Sequence, residues 1–230
     1  MMGKLEHFPT KDRLHTDVLE EKYGEIHAKV LRHDDVRSKH QEPAIREAHL
    51  QDKENISRTY ALTFLTYDKS DDLLYQIDSE IRDGGSIGKT FRKHGFLIRK
   101  NVIDVFTLPL TDKLRDEFHV TGEHAKARVS EFYAKNEKTS PIVYGQVMEL
   151  YSPDFRGPII NEVDIKQIHP ITHVAEKYGI SKDVLWDYLD ESKQGKTILD
   201  EEKLNQAKEE SLDEVFKLRK QIQDYLEQRN

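Results

Sequence analysis

The stretch GEHAKARVSEFYAKNEKTSPIVYGQVMEL, residues 122–150, decides the fold class. Two runs, Ala125 to Lys135 and Ile142 to Tyr151, alternate apolar and polar residues around a polar loop that closes on Pro141. Alternation at period two with turn residues between the runs marks a β-hairpin. On the first run it sends Lys126, Arg128 and Ser130 to one face and Ala125, Ala127 and Val129 to the other. On the second, Tyr144, Gln146 and Met148 share a face, opposite Val143, Gly145, Val147 and Glu149. Arg128 facing Gln146 would form a carboxylate clamp or an exposed cross-strand pair.

Working outward, Phe96 to Leu110 reads as a long strand stopped by Pro109 and Thr111, and Asp112 to Phe118 as a short helix. Upstream, Ser70 caps a helix on which Leu73, Leu74, Ile77 and Ile81 recur, ending at Gly84-Gly85. Ser86 opens a second short helix closed by Gly95. Ser57 to Thr66 is a strand with Tyr60, Leu62 and Phe64 on one face, and Glu25 to Arg32 and Ala44 to Leu50 are two more. The first twenty residues carry no committed pattern. Ile159 to Ile168 reads as a last strand, and beyond Pro170 the chain turns helical. Strands followed by helices predict an α+β domain over 1–168 with a helical extension over 169–230. Gly24 and Gly122 each open a strand 19 residues ahead of a proline, Pro43 or Pro141, which fits a duplication or two hairpins with similar turns.

Composition narrows the function classes. Of 230 residues 36% are hydrophobic and 34% charged, which predicts an extensive solvated surface. No run approaches the roughly 18–20 apolar residues of a membrane span. The first thirteen residues hold no apolar leader, and there is no cysteine, hence no disulfide or thiolate site. A cytoplasmic location without a cofactor is the expectation. The net charge of −7 argues against wholesale nucleic-acid binding. Eleven histidines form neither His-Glu-x-x-His nor a helical His-x-x-x-His, so no metal is expected.

With these elements in place, Gly85-Ser86-Ile87-Gly88-Lys89-Thr90-Phe91, the strand from Phe96, and the Gly122–Lys135 and Pro141–Leu150 hairpin resemble the second half of the chorismate lyase superfamily. That superfamily includes the UTRA domains, which sense small effectors in bacterial transcription regulators. The hairpin from Gly24 to Leu50, with Glu42-Pro43, is similar to its first half, so the likeness covers residues 20–155. It implies an antiparallel sheet with helices on one face and a small-molecule pocket between sheet and loops. The family's Arg and Glu positions fall on Ala28 or Lys29 and on Gln146. A glutamine does not titrate, so the resemblance favours ligand binding over lyase chemistry.

Ligand-binding candidates are the hairpin residues Lys29, Arg128, Tyr144, Gln146 and Glu149, with Arg46, Arg58 and Arg99 from the other strands. No catalytic residue is assigned. A basic cluster of Lys89, Arg92, Lys93, His94, Arg99 and Lys100 around Gly95 would receive a carboxylate or phosphate, or form a solvated helix face. The Gly84–Thr90 run lacks the spacing of a nucleotide-triphosphate loop.

In the extension, Thr172 to Leu189 has helix-turn-helix spacing through Ala175, Gly179 and Leu185. Its second helix carries Asp183, Asp187, Asp190 and Glu191, which repel phosphate and disfavour DNA contact. From Asp200 to Gln228, Leu204, Ala207, Ser211, Val215, Leu218, Ile222 and Tyr225 form a seam for a homodimer or for packing on the chain's own domain. The reading is a non-catalytic, ligand-sensing protein for an anionic or aromatic carboxylate or a sugar phosphate. Its alternatives are a chorismate pyruvate-lyase-like enzyme using Glu149, and a DNA-associated regulator.

Overall fold

The computed structural model describes residues 14–38, 43–137, 141–155 and 217–229. The elements run α1 (His15–Tyr23), β1 (Ile26–His33), β2 (Ala44–Asp52), β3 (Ser57–Leu65), α2 (Asp72–Arg82), α3 (Ile87–Lys93), β4 (Leu97–Pro109), α4 (Asp112–Phe118), β5 (His124–Lys135) and β6 (Ile142–Tyr151). The chain divides into two compact units, 1–101 with 105–159, and 102–104 with 160–230. In the second unit residues 217–227 are helical, with Leu218, Ile222 and Leu226 buried. The expected strand at Ile159–Ile168 and the helix-turn-helix-like segment lie outside the described residues.

Local chemistry fixes the helix starts. Asp71, not Ser70, caps α2 by accepting the Leu74 N–H at 3.0 Å, and Thr111 accepts the Leu114 N–H ahead of α4. Asp71→Ala is expected to cost about 1 kcal/mol. The urea midpoint measures it, and an unchanged midpoint would show the cap to be idle.

The sheet order is β1-β2-β3-β6-β5-β4, antiparallel at the β1–β2, β2–β3, β3–β6 and β5–β6 pairings. Two three-stranded halves therefore meet along β3 and β6. This symmetry relates β2 to β5, whereas the Gly24 and Gly122 spacing relates β1 to β5. At the seam Gly145 faces Leu65, and a Cβ on it would lie 2.4 Å from the Phe64 carbonyl oxygen.

α1, α2 and α3 cover one face of the sheet. Leu14, Leu74, Ile77, Ile81 and Phe91 pack there with Leu65, Phe132 and Val147, and Leu19 packs with Leu50 and Tyr151. The helices are not confined to that face, however. Glu117 of α4 reaches Lys29, the strand partner of His49, on the side opposite Arg46. α4 has Leu114 and Phe118 to bury and finds its apolar surface there.

Candidate functional site

β2 positions the first functional group. Its sequence AIREAHLQD reads as half polar, yet all nine residues are buried. Arg46 is 2% exposed; its Nη2 donates to the Gly85 carbonyl oxygen at 3.3 Å, and its Nε–H meets no acceptor. Among the described residues no carboxylate pairs with it. Burial lowers its proton affinity, with the Tyr144 hydroxyl and Asp78 carboxylate acting in the opposite direction. A guanidinium has five donors, and leaving them unmet away from water is costly. Among the described residues only the Gly85 carbonyl oxygen accepts from the Arg46 side chain.

The second group is an ion cluster formed across β4, β5 and β6. Glu149 sits opposite Arg128 in the β5–β6 register. Arg128 Nη2 donates to Glu149 Oε2 at 2.6 Å, the Tyr151 hydroxyl donates to the same oxygen at 3.0 Å, and the Lys100 ammonium donates to Oε1. Against the cost of burial, Lys100 and Arg128 hold the Glu149 carboxyl well below the usual carboxylate range. His15 of α1 lies beside this cluster, its Nε2 2.7 Å from Thr59 Oγ1 and its ring edge-on to Tyr151. Burial takes its pKa down to about 4, against the pull of Glu149, so it is neutral at pH 7.

A cavity of about 50 Å³ lies between this sheet face and the starts of α1 and α3. Arg46, Lys100, Glu149 and His15 supply its polar wall, and Leu50, Ala61, Phe132 and Val147 its apolar floor. The volume suits a few waters or the head group of a small ligand. Among the described residues the site sets Arg46 and Lys100, with Arg128 behind, beside Glu149 and a neutral histidine. It can receive an anion and hold an apolar body next to it.

Of the sequence candidates, Arg46 and Glu149 line the cavity and Arg128 binds Glu149. Tyr144 stands next to the site, its hydroxyl donating to buried Asp78 at 2.6 Å. Against burial, hydrogen bonds from His33 and Tyr144 keep Asp78 ionised. The others lie elsewhere. Gln146 pairs with Glu131 and Phe64 on the opposite face, so the expected Arg128–Gln146 clamp does not form and Arg128 pairs with Glu149. Arg58 pairs with Asp52 and lies over the Tyr23 ring, and Lys29 is half exposed near Glu117. Arg99 alternates with Lys100 and faces away from the cavity.

The basic cluster is largely neutralised within the chain: Lys89 pairs with Glu20, Arg92 with Asp17, and Lys93 and His94 with Glu80. Lys100 alone of its members lines the cavity, and its place on β4 was the available signal. His15 is a site residue without a sequence signal, because the weak apolar face of α1 leaves little helical periodicity. Among the described residues no three metal-ligating side chains converge, and no helix is long and apolar enough to cross a membrane. No protein-family model matches the chain, and no curated protein matches it.

Proposed function

We propose that the protein binds a small organic carboxylate in this cavity and acts as a ligand-sensing protein. The observation carrying the reading is Arg46, a buried guanidinium with an unmet N–H on a cavity wall and no carboxylate partner among the described residues. Planar guanidinium and carboxylate groups match in paired hydrogen bonds. The apolar floor favours a compact ring or chain beside the charged head over a fully hydroxylated sugar. An antiparallel sheet with a pocket under its helices is also what a chorismate lyase or UTRA-like protein would have, which supports the same reading.

A thermal-shift comparison of acetate, benzoate, chorismate and glucose 6-phosphate tests it. A carboxylate at a hundred times its dissociation constant should add about 2.7 kcal/mol, a rise of several degrees in Tm for a protein of this size. A flat response to all three carboxylates would sink the reading. A carbon–oxygen lyase acting on an enolpyruvyl compound is a second reading, favoured by finding Glu149 in the cavity. Chorismate incubated with the protein in a coupled pyruvate assay separates the two readings.

A further inference from the structure

Lys100 and Glu149 lie side by side on the cavity wall, with the ammonium bound to Glu149 Oε1. Arg128 and the Tyr151 hydroxyl hold Oε2, His15 approaches from α1, and β3 offers only Ala61 as the residue opposite. β2 presents Arg46 to the same cavity, and α3 presents Ser86, Ile87 and Gly88, none of them titratable. Among the described residues lining the cavity, Glu149 and His15 are the groups that can exchange a proton in the neutral range once an anion arrives.

An anion seated on Arg46 and reaching Lys100 comes to rest next to Glu149, in a cavity of about 50 Å³. That volume leaves room for few waters to screen one negative charge from the other. The ligand's carboxylate and Glu149 then compete for the same cations, and the nearby like charge favours the protonated form of Glu149. Lys100 is a flexible point charge with three donors, so it can turn from Glu149 Oε1 to the ligand. The oxygen it leaves then faces a negative charge and lacks its donor.

Building on the carboxylate-binding reading, we infer that this pocket takes up one proton with its ligand, Glu149 receiving it as Lys100 passes to the bound carboxylate. The proton comes from solvent and forms the O–H bond of a neutral Glu149, so the charge of the cavity changes little on binding. The free form holds Glu149 ionised and the bound form holds it protonated. Affinity therefore rises as pH falls, by up to about tenfold per pH unit between the two protonation midpoints.

Calorimetric titration of the full chain with benzoate, in two buffers of different ionisation enthalpy at about pH 6, tests this. The expected result is a heat difference equal to the uptake of about one proton, with weaker binding at about pH 7. Glu149→Gln should bind benzoate without buffer dependence. Infrared difference spectra of ¹³C-labelled wild-type protein give a second readout, a label-shifted carboxylic-acid band appearing with benzoate. Binding with equal heats in both buffers, or uptake that survives in Glu149→Gln, would overturn the proton coupling alone. No benzoate binding at either pH would overturn the coupling together with the carboxylate reading.

Discussion

Glu149→Ala is expected to lower the stability of the domain by about 3–5 kcal/mol at neutral pH. The carboxylate is the shared acceptor for Lys100, Arg128 and the Tyr151 hydroxyl, and its side chain is 6% exposed. Without it, two cations keep the cost of burial and lose their counter-charge. The Lys100 and Arg128 side chains are 23% and 16% exposed, so water relieves part of that cost and the lower half of the range applies. Even so, the loss is a large share of the roughly 5–15 kcal/mol that holds a typical domain folded.

Acid should act on the same interaction. Glu149 has its folded-state pKa pushed down, chiefly by Lys100 and Arg128 working against burial. Its contribution is therefore present above the unfolded carboxylate pKa and disappears as pH falls through the folded one. Urea midpoints of wild type and Glu149→Ala should lie far apart at pH 7 and converge in acid. Equal midpoints at pH 7 would show the cluster to be well solvated.

Much of the sheet was legible because its strands are bounded by strong local signals. β6 and α4 occupy the spans that Pro141, Thr111 and the apolar spacing predict. α1 was not legible. Its sequence HTDVLEEKY has a weak apolar face, and it docks through Leu19, which is wholly buried against Ile26, Leu50 and Tyr151. Tertiary burial of one leucine leaves little periodic trace. Asp17 and Glu20 on that helix pair with Arg92 and Lys89, so the neutralisation of the basic cluster is equally hidden in the sequence.

The site itself was half legible. Alternation separates Gln146 from Glu149, and the β5–β6 register, with its shift between Phe132 and Tyr133, sets Glu149 against Arg128. The position that the resemblance implies, Gln146, lies three residues before Glu149 and on the other face of the sheet. Arg46 could be named as a candidate from its charge. Its burial could not be foreseen, since a strand reading Ala-Ile-Arg-Glu-Ala-His suggests one wet face and β2 has none.

Arg46 is also where stability and function should part. Arg46→Met replaces a buried, incompletely bonded cation with an apolar chain of similar length, so the empty protein should keep its stability or gain about 1 kcal/mol. The same change removes the main hydrogen-bond donor to the ligand's carboxylate and should weaken carboxylate binding by on the order of a hundredfold. The most direct measurement is the benzoate affinity of wild type and Arg46→Met by calorimetry, with the urea midpoint of each read alongside. Lost affinity with an unchanged or raised midpoint is the predicted result. Equal affinities, or a midpoint that collapses with the substitution, would contradict the account and make Arg46 a structural residue.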